Sequence, residues 1–370
     1  NHQRHHTMFA LTIIFLVLSF SASSDGFNPI LSLFNAMLSS SSHSTESLSL
    51  SVTAGAELAM AECAAQFSTD PWNCPTTEFQ NRRRPRNTRE SAFVHAILSA
   101  GVTHTVSRNC SEGSLAGTCG CERNGANPTD ASWKWSGCSD NVVYGTAVSQ
   151  QFLDKANTDP WTVASIHNNE AGRIAVRKTM RRVCKCHGVS GSCATQTCWR
   201  QTGSFKEVGS YLRLQYNKAL KVDFNNGVLK VKEAPTVSSN RVLRKSVHTR
   251  SEEPVSIKKR KLVFLQSSPD YCRRNVATGF TGVEGRTCVV DPLSKDPEAE
   301  ATKCSTMCSR CGLEAVRRTV PVTRSCNCKF KWCCNITCQT CTHNQVVITC
   351  ESSTNRKNDD RPVAIEHNRT

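Results

Sequence analysis

Carboxylates are in short supply in this 370-residue chain: 30 Asp and Glu stand against 46 Lys and Arg, a formal net charge of +16 and a pI near 9.1. That imbalance calls for an anionic partner. Long apolar runs are scarcer still. One follows Met8, MFALTIIFLVLSFSASSDGF, in which about ten apolar residues give way to small ones, the pattern of a secretory signal. It falls short of the ~20 residues of a membrane helix, and no other stretch approaches that length, so a spanning helix is not expected. Residues 8–24 read as the signal, with cleavage near Ala22 to Ser24, and Asn1 to Thr7 as carry-over ahead of it. The mature chain is expected to be soluble unless something is added to it. No internal repeat is present.

What the chain does have is cysteine, 22 of them, all beyond the signal region. An oxidising compartment turns such an even set into disulfides, up to eleven here. At even ~2 kcal/mol per bridge the sum exceeds an ordinary folding free energy, so the fold depends on oxidation. Ten cysteines lie between Cys63 and Cys198, none in the next seventy-three positions, and twelve between Cys272 and Cys350. Each half can therefore close its own bridges. The expected organisation is a helical domain over 25–229, a basic linker over 230–262, a cysteine-rich domain over 263–350 and a disordered polar tail over 351–370.

The linker holds ten Lys and Arg against three Glu, ending in KKRK at 258–261, and RRRPR at 82–86 is a second basic cluster. Inside a cell such runs would suggest nuclear import or nucleic acid. Outside, the available polyanions are heparan sulfates and anionic cell surfaces, and no nucleic-acid partner is expected. A solvated, flexible linker is the other reading, and the sequence leaves both open.

Helical spacing is clearest in three places. TRESAFVHAILSAGV has Thr88 as N-cap, with Phe93, Ile97 and Ala100 on one face. HNNEAGRIAVRKTMRRV puts Ala171, Ile174 and Ala175 in register and sets Arg173, Arg177 and Arg181 along a charged face. FKEVGSYLRLQYNKALKV places Phe205, Val208, Leu212, Tyr216, Ala219 and Leu220 at helical intervals. The second half instead shows short alternating runs such as RRTVPVTRSCNCKF and NQVVITC, and no stretch there reads as a helix. It predicts β-hairpins tied by disulfides, for an α+β fold overall. Sequons at Asn109 and Asn335 are candidate glycan sites on exposed turns, and a third, at Asn368, lies in the tail.

The segment CHGVSGSC, Cys186 to Cys193, carries the functional question. It is not a nucleophile elbow: the second glycine of G-V-S-G-S comes one position early, cysteines replace the strand-turn-helix context, and no Asp/His pair presents itself as a triad. C-x-C-H with further cysteines resembles zinc spacing, but zinc knuckles usually pair C-x2-C units and an oxidising compartment favours disulfides, so no metal is expected. A Cys186 to Cys193 bridge would instead close a tight loop, with Cys184 to Cys198 as a rung below it, and Gly188 and Gly191 free the backbone. Ser190 is then either an accessible substrate for a modifying enzyme or a serine that simply faces water.

CKCHGVSGSCATQTCW at 184–199 resembles the signature of Wnt proteins, secreted lipid-modified growth factors. ECAAQFSTDPWNCP at 62–75, TRESAFVHAILSAG at 88–101, WSGCSDNV at 135–142, HNNEAGRIAV at 167–176, SPDYC at 268–272 and CNCKFKWCCNITCQTC at 326–341 resemble further Wnt segments in the same order. The cysteine count is most like the branch conventionally numbered eight. The resemblance implies a two-domain, hand-like fold whose thumb loop carries palmitoleate on Ser190, added by the acyltransferase Porcupine, with Wntless as export carrier. It implies an index finger around Phe330, Lys331, Trp332, Cys333 and Cys334, gripping the cysteine-rich domain of a Frizzled receptor together with the acylated thumb. It also implies pairings of Cys63 with Cys74, Cys110 with Cys119, Cys121 with Cys138, Cys184 with Cys198 and Cys186 with Cys193. In the second half these are Cys272 with Cys311, Cys288 with Cys304, Cys308 with Cys350, Cys326 with Cys341, Cys328 with Cys338 and Cys333 with Cys334.

The expectation is thus a secreted, non-enzymatic ligand joining a Frizzled receptor to an LRP-type coreceptor and activating β-catenin signalling, free of cofactors apart from the covalent lipid. The alternative is a basic, disulfide-rich matrix protein acting through heparan sulfate.

Overall fold

Thr88 and Ser91 open the helix around which the first domain is built. The Thr88 hydroxyl accepts from the Ser91 amide and the Ser91 hydroxyl accepts from the Thr88 amide, a reciprocal capping box. A computed structural model describes residues 43–80, 87–122, 134–155, 157–225, 227–231, 257–276, 280–290, 296–331 and 335–352. The signal, the 82–86 cluster, most of the linker, Trp332, Cys333, Cys334, Asn368 and the tail lie outside them.

In chain order the helices are α1 (His43–Gln66), α2 (Thr77–Gln80), α3 (Arg89–Glu112), α4 (Val142–Leu153), α5 (Pro160–Thr179), α6 (Phe205–Asn217) and α7 (Pro297–Arg310). The strands are β1 (Lys134–Ser136), β2 (Arg181–Cys186), β3 (Gln196–Gln201), β4 (Leu220–Asn225), β5 (Val228–Val231), β6 (Val263–Phe264), β7 (Thr287–Val290), β8 (Glu314–Lys331) and β9 (Asn335–Glu351). Helix α3 is central, packed by α1, α4, α5 and α6, and it buries Phe93, Ile97, Ala100, Val102 and Val106. Approach to α5 is so close that a Cβ on Gly172 would fall on the Ala96 backbone, 2.8 Å from its carbonyl carbon. Phe67 is the hub of an aromatic cluster, edge-on to Trp72 at 4.6 Å, Phe93 at 4.8 Å and Tyr216 at 4.9 Å.

Three details of the helical expectation change. Arg173 does not face water: its side chain is 1% exposed and bonds Asp154 and Glu170, each at 2.8 Å. Arg181 is not helical, because α5 stops at Thr179 and Met180 turns the chain into β2. The third helix likewise ends at Asn217, leaving Ala219 outside it and Leu220 at the start of β4. Spacing by four carried on past both ends, whereas the strand pairings of β2 and β4 claimed the backbone hydrogen bonds there.

The second domain does contain a helix, α7, contrary to expectation. Asp296 caps it and Pro297 begins it, and its buried face is Ala301, Cys304, Met307 and Cys308. Two of those four are disulfide cysteines, which hid the apolar stripe in a cysteine-dense text. The helix packs on the β7-β9-β8 sheet around Val283, Val290 and Ile348. The expected boundary at 262/263 falls inside a packed segment. Leu262 and Val263 are fully buried in the first domain, β6 pairs with β4, and Asn168 bonds the Val263 amide and carbonyl at 2.9 and 3.0 Å.

Two polar junctions, one buried at Glu90 and one half-buried at Arg286, join the halves. Glu90 accepts from Tyr216 (2.9 Å), Ser268 (2.6 Å) and Tyr271 (3.1 Å), and burial with that carboxylate alongside pushes both tyrosine hydroxyls far above their ordinary range. Arg286 reaches back to donate to the carbonyls of Ser68 (2.7 Å), Asp70 (2.5 Å) and Pro71 (3.1 Å), just beyond the end of α1.

Candidate functional site: a clamped loop and a long finger

Strands β2 and β3 run antiparallel with Cys184 opposite Cys198, and a disulfide joins that pair. Cys186 and Cys193 close the next rung, and residues 187–192 form the tip. The tip is hydrogen-bonded within itself: Gly188 donates to the Ser192 carbonyl (2.8 Å), Gly191 to Gly188 (3.0 Å) and Ser192 to Val189 (3.1 Å). The His187 amide donates to Thr195, and its Nε2 meets the Thr197 hydroxyl at 2.9 Å, so the ring serves the hairpin.

Ser190 stands at the apex, exposed, with φ 57° and ψ 27°. That left-handed geometry costs a non-glycine residue about 1–2 kcal/mol and persists only where the surroundings impose it. Here the two disulfide rungs and three internal hydrogen bonds impose it, and Gly188 lets the turn close, since a Cβ there would lie 2.5 Å from the Ser192 carbonyl oxygen. The Ser190 hydroxyl has no partner among the described residues. Val189 beside it is 90% exposed, an apolar neighbour that the sequence reading passed over.

The loop stands on a fixed base. Gly137 donates to the Cys198 carbonyl, β1 pairs parallel to β3, and buried Asp140 accepts from the Thr202 amide and hydroxyl, both at 2.8 Å, and from Ser111 of α3 at 2.7 Å. Disulfides Cys63–Cys74, Cys110–Cys119 and Cys121–Cys138 hold the surrounding segments.

Strands β8 and β9 form an 18- and 17-residue hairpin, about 60 Å long at ~3.3 Å per residue. Its root is tied by Cys288–Cys304, Cys308–Cys350 and Cys272–Cys311, and its outer part by Cys326–Cys341 and Cys328–Cys338. A bulge between Cys326 and Lys329 turns the outer ladder, with Asn327 at φ 48°. Near the end Phe330 pairs with Ile336, the two being 69% and 67% exposed, and Lys331 pairs with Asn335 at the last described register position. The sequence signal for Ile336 is its position, which mirrors Phe330 about Cys333. Asn109 is not on an exposed turn: it lies in the last turns of α3, half-buried, donating to the Ser51 hydroxyl at 2.8 Å. Among the described residues no cluster of three metal-ligating side chains occurs and no helix is long and apolar enough to cross a membrane.

A family model described as the wnt family matches residues 32–351. Protein Wnt-8c of Gallus gallus is 42% identical over 301 residues, covering 79% of this chain and 81% of that protein. Protein Wnt-8b of Homo sapiens is 45% identical over 301 residues, with the same coverage of 79% and 81%. Among solved structures, a chain from human WLS in complex with WNT8A aligns with a TM-score of 0.58 and 36% identity, over 86% of this chain and 99% of that one.

Proposed function

The chain belongs to the Wnt family of signalling ligands, and from that premise we propose that it is secreted with palmitoleate on Ser190 and binds a Frizzled cysteine-rich domain through thumb and finger. The observation that carries this reading is the presentation of Ser190: an unpartnered hydroxyl on a strained, doubly bridged apex, exposed to an acyltransferase of the Porcupine type. An acyl chain of about fourteen methylenes at ~0.8 kcal/mol each contributes on the order of 10 kcal/mol gross on burial, before association costs. No polar loop of this size matches that, so the lipid dominates receptor affinity and requires a carrier of the Wntless type for export.

The finger supplies the second contact. Exposed Phe330 is an apolar anchor for a shallow receptor pocket, and Lys331, Trp332, Cys333 and Cys334, next to it in sequence, are assigned to the same contact. An LRP-type coreceptor then completes a complex that activates β-catenin signalling, with Asn335 as a glycan acceptor and heparan sulfate as a matrix partner. Intact-mass analysis of the secreted protein, with and without deglycosylation, reads the acyl group, the glycans and the oxidised cysteines together. Ser190→Ala is expected to lose the acyl mass, Frizzled binding and reporter activity while folded protein is still made. Full signalling by unacylated protein overturns the reading.

The exposed cations Lys258, Lys259 and Arg260 favour one rival, a matrix protein held by its basic surface. Heparin retention lost at moderate salt, with no Frizzled binding at any salt, would support that rival instead.

A further inference from the structure

The turn at 258–261 and the last turn of α5 face each other across a cleft of about 560 Å³, lined by Ile174, Arg177, Lys178, Lys258, Lys259 and Arg260. Five of the six carry positive charge. Arg177 is held by Glu170 at 2.6 Å, and Glu170 also serves Arg173, so this carboxylate is already neutralised from within the domain. The other four cations are without an ion pair among the described residues, and Lys178, Lys258, Lys259 and Arg260 are all exposed.

The turn that carries three of them is fixed to the domain. The Lys261 amide donates to the Lys258 carbonyl at 2.9 Å, His167 Nε2 meets the Lys261 carbonyl at 2.9 Å, and Leu220 donates to the Leu262 carbonyl at 2.9 Å. Asn168 then clasps Val263 on both sides. Like charges so held repel one another, and an anion seated between them removes that repulsion with little ordering of the backbone.

We infer that this cleft is a binding site for a sulfated polysaccharide chain, formed jointly by the end of α5 and the 258–260 turn. A bilayer fits less well: the large exposed apolar side chains among the described residues, such as Val189, Val276, Phe330 and Ile336, lie on neither lining element. The inference deepens the heparan sulfate part of the proposed function and is independent of the Frizzled part. It places the contact at a defined position on the helical domain, beside the end of α5.

The test uses the full secreted chain and a size-defined heparin oligosaccharide, with salt elution from immobilised heparin and direct affinity as readouts. A cleft variant, K178S/K258S/K259S/R260S, is compared with a linker variant of equal charge change, R241S/R244S/K245S/R250S. Frizzled binding confirms that both are folded. The cleft variant is expected to bind the oligosaccharide roughly tenfold more weakly and to elute at clearly lower salt, with the linker variant close to the parent. Equal retention of the cleft variant and the parent, or loss confined to the linker variant, overturns the site while leaving heparan sulfate binding intact. A parent that does not bind heparin at all overturns both. Binding of the parent to phosphatidylserine vesicles but not to the oligosaccharide assigns the cleft to membranes and overturns the inference.

Discussion

Two histidines, His104 buried and His167 half-buried, illustrate how single residues set the conditions under which the chain is stable. Burial holds the His104 imidazole below its ordinary range despite a 3.0 Å contact with the Gly203 carbonyl, and burial does the same to His167 beside the Lys261 carbonyl. Because the folded pKa lies below the unfolded value of about 6.5, the unfolded chain takes up protons first as pH falls. Stability is then full above about pH 6.5 and declines below it. Denaturant midpoints measured at pH 7.5 and 5.5 are expected to differ in that direction, and His104→Gln should reduce the difference even though it lowers stability overall. A midpoint that rises on acidification would contradict the assignment. Glu90 and Arg173 belong to the same scale. In the sequence Arg173 reads as one of a line of charges along a helix face, because its Asp154 partner is not visible in local spacing, and neither are the tyrosines 126 and 181 positions beyond Glu90.

At the scale of elements, the thumb hairpin is a local structure whose closure is written locally. Its cysteines and glycines lie within fifteen positions, Cys184 to Cys198, and the spacing already indicated a closed loop around Ser190. The left-handed apex and the bond from His187 to Thr197 were not legible, since they follow from strand register. Gly188→Ala is expected to disturb the apex without unfolding the domain: acyl occupancy at Ser190 by mass should drop severalfold, with the thermal midpoint nearly unchanged. Gly172→Ala is the contrasting case. The added methyl falls on the Ala96 backbone between α5 and α3, where neither helix can yield, so a loss of roughly 1–3 kcal/mol or more is expected in denaturant titration. Helix ends are not marked in the spacing where β2 and β4 take over the chain, and α7 is hidden because its buried face is half cysteine.

Across the whole molecule the two halves are joined both by apolar packing, in which Leu262, Tyr271 and Phe280 meet the core of the first domain, and by side-chain hydrogen bonds. Arg286 donates to carbonyls just past α1, and Glu90 gathers hydroxyls from α6 and from residues 268 and 271. Removing Arg286 leaves those carbonyls partly buried and unmet. Arg286→Met is expected to cost about 2–3 kcal/mol and to speed proteolysis between 257 and 286, with the disulfides intact. Unchanged proteolysis and thermal midpoint would mean that the halves are held elsewhere. The boundary is legible only at this scale, because cysteine counting placed it at a gap in the sequence whereas packing carries Leu262 to Phe264 into the helical core.

Composition, cysteine number and local periodicity by themselves determined an oxidised, basic, two-part chain, helical first and hairpin-rich second, with a serine at the tip of a closable loop. Each of those depends on residues near one another in sequence, or on sums over it. Tertiary structure alone decided that Arg173 is buried, that Ser190 sits in a left-handed apex, that Ile336 stands opposite Phe330, and that Lys258, Lys259 and Arg260 meet the end of α5 across a cleft. Those depend on which distant segments pack or pair, and burial and strand register are properties of the assembled chain rather than of any stretch of it.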